Sequence, residues 1–126
     1  MGQGYLIDSN TAIDYHDDKL PAPGGNLIDN TPVQISVIAR MELLSWPKAN
    51  EQQIKILRQF INESPIHNLD EPIILKAIEI RKANSIKLPD AIIAATAIVY
   101  NLILVTRNTT DFKKVAGLEM VNPYTI

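Results

Sequence analysis

Short apolar runs alternate with amphipathic stretches along this chain, and polar residues stand at the joints. Tyr5-Leu6-Ile7, Val33-Gln34-Ile35-Ser36 and Leu102-Ile103-Leu104-Val105 are brief and rich in β-branched or aromatic residues, and they give way to Asp8, Ser36 and Thr106. Runs of this length and composition predict buried strands. Residues 66–69 and 118–121 predict two more. Between them the apolar spacing turns helical. Residues 10–15 follow the cap-like Ser9-Asn10-Thr11, and residues 37–45 stop at Trp46-Pro47. A helix opening at Asn50 carries Ile54, Leu57 and Ile61 on one face and ends near Ser64-Pro65. Asp70 caps the next, which aligns Ile74 with Ile78 and frays near Asn84-Ser85. Residues 16–32 hold Asp17-Asp18, Pro21, Pro23 and Gly24-Gly25 and read as a surface loop. Residues 112–116 read as a short helical or turn segment. Strands alternating with helices predict one α/β domain over residues 1–126, its parallel sheet covered on both faces.

The stretch Lys87-Leu88-Pro89-Asp90-Ala91-Ile92-Ile93-Ala94-Ala95-Thr96-Ala97 is the most informative. Proline suits the first helical position, where its missing N–H would be unpaired anyway. The helix expected over 89–100 carries no charge after Asp90, so it must be buried on most sides. Ile93, Ala94 and Ala97 lie three, four and seven residues beyond Asp90, on its face. The acid therefore points along the buried stripe. Alone it reads equally well as a partner of the helix dipole or as a metal ligand.

Composition narrows the possibilities. Of 126 residues, 46% are hydrophobic and 21% charged, as in ordinary globular domains. The net charge of −2 argues against a strongly basic nucleic-acid module, but the charge is uneven: residues 1–46 hold six acids and two bases, residues 47–126 eight acids and ten bases. There is no cysteine, which removes disulfides, thiolate metal sites and cysteine nucleophiles and fits a cytoplasmic protein. No run approaches the roughly 20 apolar residues of a membrane span. No basic region followed by an apolar stretch opens the chain, so no secretory signal is expected. Gly2 is followed by Leu6 where acylation needs Ser or Thr, so no lipid anchor is expected.

In open parallel sheets, ligands bind at the carboxyl ends of the strands. Asp8 stands at one such end. Glu42 follows the strand ending at Ser36, among Met41, Leu43 and Leu44, on what reads as the apolar side of its helix. Asp111 follows the strand ending at Thr106; turn or capping chemistry explains it equally well. With Asp90 these acids predict a pocket of hard oxygen ligands of the kind that holds Mg²⁺ or Mn²⁺. Such a pocket suits metal-assisted phosphodiester hydrolysis. His16 and His67 lack a second ligand at metal spacing and read as ordinary surface or core residues.

Four blocks in order along the whole chain resemble the PIN-domain ribonucleases, and among them the VapC-type toxins of bacterial toxin–antitoxin pairs. They are Leu6-Ile7-Asp8-Ser9-Asn10, Ile35-Ser36-Val37-Ile38 with Met41-Glu42-Leu43-Leu44, Leu88-Pro89-Asp90-Ala91 through Ala97, and Leu104-Val105-Thr106-Arg107-Asn108 with Asp111-Phe112. The resemblance implies a PIN-like three-layer sandwich with a five-stranded parallel sheet flanked by helices. It implies Mg²⁺- or Mn²⁺-dependent endonuclease action on RNA, leaving 5′-phosphate and 3′-hydroxyl ends. It also implies a homodimer, a cognate antitoxin partner and a cytoplasmic setting. Asp8, Glu42, Asp90 and Asp111 match the family's acidic, metal-binding and catalytic positions. By the same match Asn10, Ser36, Thr106 and Asn108 would orient a carboxylate, water or phosphate, and Arg107 would meet RNA phosphate. The chain departs from many relatives in having Asn108 where they have a second Asp, and a short Pro/Gly-rich segment 16–32 where they often have a longer helical clip. The alternative is a non-catalytic PIN-like module that keeps the fold and acts through protein contacts.

Overall fold

The structure, a computed structural model, describes residues 3–126; Gly2 lies outside them. Its centre is β1 (Gly4–Ile7), which pairs in parallel with β2 (Val33–Ser36) on one side and β4 (Leu102–Val105) on the other. The short strands β3 (Ile66–His67) and β5 (Met120–Val121) complete a five-stranded parallel sheet of order β3-β2-β1-β4-β5. All carboxyl ends therefore lie along one edge, with Asp8, Ser36 and Thr106 at or just past the last paired residues.

Successive side chains of a strand point to opposite faces, and the two cores follow that alternation. Leu6 and Leu104 face one core, with α5 (Glu71–Ala83) and α6 (Leu88–Val99). Ile7 and Val105 face the other, with α1 (Ser9–His16), α2 (Ala22–Asp29), α3 (Val37–Leu44) and α4 (Glu51–Glu63). This is the three-layer α/β sandwich the sequence predicts. Residues Ala91 to Ala97 of α6 are all buried, as the uncharged run requires, and Thr96 satisfies its hydroxyl by donating to the Ile92 carbonyl at 2.7 Å. Among the described residues no helix is long and apolar enough to cross a membrane.

The helix starts are set locally. Asp8 caps α1, Ser36 caps α3 and Asp70 caps α5, each through its side-chain oxygen. Asn50 and Gln53 form a reciprocal capping box at α4.

The main departure from the sequence reading is the segment 16–32, which contains α2 rather than only loop. Pro23 lies in the first turn, where a proline costs no hydrogen bond. Gly24 packs so closely on the end of the chain that a Cβ there would stand 2.0 Å from the Pro123 carbonyl oxygen. Ile28 is buried in the second core and anchors the helix. Tertiary contact thus overrides the low helix propensity of Pro-Gly-Gly. Smaller shifts affect the ends: β3 and β5 are two residues each, and the turn after β4 forms α7 (Thr109–Phe112), ending where the sequence predicts a helix to begin.

Candidate active site

The carboxyl edge of the sheet opens into a polar cavity of about 460 Å³, lined by Asp8, Ser9, Asn10, Glu42, Asp90, Ile93, Arg107, Asn108 and Phe112. The elements that supply them meet here because β1 and β4 are direct neighbours, while α3 and α6 start beside the same edge.

Asp8 is the most tightly held. It is buried, and both carboxylate oxygens have a protein donor: the Thr11 backbone N–H on Oδ1 at 3.0 Å and the Thr106 hydroxyl on Oδ2 at 2.5 Å. Thr106 in turn accepts from the Asn108 backbone N–H at 3.0 Å. This relay ties the turn after β4 to the end of β1 and fixes the rotamer of Asp8. A carboxylate offers about four lone-pair positions, so each oxygen keeps capacity for an external partner.

Glu42 is reached from α1, where the Ser9 hydroxyl donates to Oε1 at 3.2 Å. Burial of the carboxylate pushes its pKa up; the Ser9 bond opposes this, and the charges of Asp90 and Asp8 reinforce it. Yet Glu42 as a residue is exposed, at the cavity rim, so the expectation that it avoids the solvated face needs correction. The helix turns it toward open solvent at the mouth rather than into the core.

Asp90 is half-buried in the first turn of α6 and lines the cavity with Ile93, the neighbour its helical spacing predicts. Burial raises its pKa, Asp111 and Asp8 raise it further by repulsion, and Lys87 partly offsets them. Two carboxylates of the cluster therefore resist ionisation, largely because each is desolvated and faces other acids.

The remaining expected residues divide. Asn10 and Asn108 line the cavity, and Thr106 stands directly behind Asp8. Asp111 is exposed on α7 and outside the lining, acting on Asp90 through its charge. Ser36 is buried and also outside; its oxygen accepts from the Ile38 and Ala39 N–H groups, so it sets the start of the helix that carries Glu42. Arg107 lines the rim, but its Nη1 reaches Asp14 Oδ2 at 3.5 Å. Sequence reasoning missed Ser9 as a partner of Glu42; its position beside Asp8 reads only as cap chemistry. His16 and His67 lie elsewhere, and burial lowers the pKa of both.

Among the described residues, no three His, Cys, Asp or Glu side chains converge closely enough to make a ready-built metal shell. Three carboxylates nevertheless share one cavity, and no histidine or lysine lines it. That donor set suits a hard divalent cation, which takes one or two carboxylates directly and keeps several waters.

The PIN domain family model matches residues 5–118. No curated protein sequence matches the chain. Among solved structures, a chain of a toxin–antitoxin complex from Klebsiella pneumoniae is 32% identical, with TM-score 0.79, the match covering 98% of this chain and 100% of that one. A chain of VapBC2 from Rickettsia felis, bound to a DNA fragment from the promoter, is 26% identical with TM-score 0.79, covering 94% and 97%. A chain of DNA-bound VapBC from Salmonella typhimurium shares the fold at 21% identity and TM-score 0.81, covering 95% and 98%. The family match spans β1 to the approach of β5 and includes every acid of the cavity. The chain belongs to the PIN-domain family.

Proposed function

We propose that this chain is a Mg²⁺- or Mn²⁺-dependent endoribonuclease and the toxin of a toxin–antitoxin pair. The observation that carries the reading is the meeting of Asp8, Glu42 and Asp90 in one polar cavity at the carboxyl edge of a parallel sheet. Acids such as Glu42 and Asp90, whose pKa values burial and neighbouring carboxylates push up, are a poor structural device, because they cost stability at neutral pH. They are a good device for attracting a cation.

Asp8 and Asp90 would hold the cation, and Glu42 would hold it or one of its waters. Asp111 adds negative charge beside Asp90 and completes the outer part of the site. A cation bound there would supply Lewis acidity at the phosphate and a water of lowered pKa. The chain's own part is orientation. Thr106 and Asn108 lock Asp8, Ser9 steadies Glu42, and the buried length of α6 keeps Asp90 from retreating. Arg107 at the rim offers a planar fork suited to a phosphate.

An antitoxin partner is supported by the toxin–antitoxin complexes among the structural neighbours. A homodimer has a ready face in the exposed apolar residues Leu69, Leu75, Ile78 and Leu88 of the α5–α6 side. A cytoplasmic setting accords with an RNA substrate. The test is cleavage of a panel of tRNA, rRNA and mRNA with Mg²⁺ or Mn²⁺. Cleavage that EDTA abolishes and that leaves 5′-phosphate ends is expected; an inert protein with intact fold would favour a binding module.

A further inference from the structure

Arg107 is not free at the cavity mouth. Its Nη1 reaches Asp14 Oδ2 at 3.5 Å, and its guanidinium carbon stands 5.8 Å from the centre of the Tyr124 ring. The Tyr124 hydroxyl donates to that same Asp14 oxygen. Three distant segments build this arrangement. Asp14 comes from α1, the helix that Asp8 caps. Tyr124 comes from the turn after β5, brought alongside by the Thr106 N–H bond to the Val121 carbonyl at 3.1 Å and held by its own N–H on Asn122 Oδ1 at 2.9 Å.

As a stabilising ion pair this would achieve little. The Arg107 side chain is 55% exposed against 16% for Asp14, and such pairs contribute at most about 1 kcal/mol. Its consequence is orientation. A loose arginine beside Asp8, Glu42 and Asp90 would fold onto those carboxylates and neutralise them. Tethered at one nitrogen, with an aromatic ring near its planar group, it stays at the rim with donors to spare out of the five a guanidinium carries.

Resting on the ribonuclease reading above, we propose that Asp14 and Tyr124 are positioning residues that hold Arg107 ready for a phosphate of single-stranded RNA. Preorganising a donor in this way lowers the ordering cost of binding.

The test is binding of a fluorescein-labelled single-stranded RNA in Mg²⁺, with Asp90→Asn as a cleavage-silent background. Arg107→Ala weakens binding about tenfold and reduces the salt slope by about 0.7, the share of one phosphate contact on a single strand. Asp14→Ala weakens binding about fivefold when Arg107 is present and has no further effect when Arg107 is already alanine, the signature of coupled residues. Tyr124→Phe, which keeps the ring and loses the hydroxyl, falls between wild type and Asp14→Ala. An acid that merely stood nearby would do the opposite, since its removal would tighten RNA binding. Tighter or unchanged binding by Asp14→Ala, or an equal loss in both backgrounds, overturns the proposal. If Asp14→Ala fails to fold by circular dichroism, Asp14→Asn and Tyr124→Phe carry the same comparison. The two readings fail separately: a wild-type protein that cleaves no RNA sinks the ribonuclease reading and this one with it, whereas additive losses in a chain that cleaves RNA sink only this one.

Discussion

Helix α6 borders two cavities that differ in kind. On one side Leu88 and Ile92 help line an apolar space of about 590 Å³ between α5 and α6, with Ile74, Ile78, Arg81 and Lys82 but no acid. On the other, Asp90 and Ile93 line the smaller polar cavity of about 460 Å³ with Asp8 and Glu42. The first is larger and better suited to apolar contact. The second lies where the parallel strands end, and there four separate elements deliver polar groups to one point. The first is a surface groove bordered by exposed residues such as Leu69, Ile78 and Leu88; the second owes its chemistry to topology. A single residue step along α6, from Ile92 to Ile93, separates the two.

The largest effect should come from the polar side. Asp90→Asn or Asp8→Asn should lower RNA cleavage by about 10²–10³-fold or more, as for loss of a preorganised charged group, with the circular dichroism spectrum unchanged. Metal should distinguish the cavities next. A site half-saturated well below millimolar Mn²⁺ or Mg²⁺ should stabilise the chain by about 2.7 kcal/mol at a hundredfold excess over the dissociation constant, read as a rise in Tm. Asp90→Asn should lose most of that rise. Thr106→Val should reduce cleavage about 10–100-fold, the range for removing a group that orients a metal ligand, because Asp8 then loses its hydroxyl donor.

Smaller is the pH effect on the metal-free chain. Burial and neighbouring acids raise Asp90 and Glu42 above their ordinary values. The folded state then binds more protons than the unfolded chain across the interval between the ordinary and the raised pKa. Stability from these groups is fully present below the ordinary carboxylate range and is lost as pH rises through their raised values. Without metal, Asp90→Asn should therefore be more stable than wild type at neutral pH by about 0.5–2 kcal/mol, a usual gain on removing a crowded charge. The difference should close below about pH 4, where the unfolded carboxyl also carries its proton. Urea titrations at two pH values check this. Least affected should be cleavage by Ser85→Ala, at an exposed residue of the apolar cavity, whose rate should stay within about twofold because exposed positions away from the site tolerate change.

Much of this was legible in the chain. The uncharged run from Ala91 to Ala97 could only be a buried helix, and Leu102 to Val105 only a buried strand, because nothing else hides so many apolar side chains in so few residues. Asp8 was legible as an acid at a strand end, Glu42 as one on the helix after a strand, and Asp90 as one at the mouth of a buried helix. What stayed hidden depends on contacts between segments far apart. α2 forms in a Pro-Gly-Gly sequence because Gly24 fits against Pro123 and Ile28 reaches the core. Ser36 and Asp111 stand outside the lining, since the Ser36 hydroxyl caps α3 and Asp111 is exposed on α7. Asp14 and Tyr124 show no local signal at all; the β1–β4 pairing brings Asp14 of α1 to Arg107, and the β4–β5 pairing brings Tyr124.

The most direct test of the central claim is RNA cleavage by the wild-type chain, with and without a divalent cation, beside Asp8→Asn under identical conditions. Cleavage with Mg²⁺ or Mn²⁺, none in EDTA, restoration when the cation is returned, and no cleavage by Asp8→Asn are the expected results. Cleavage that persists in EDTA, or that Asp8→Asn performs at the wild-type rate, would contradict the claim.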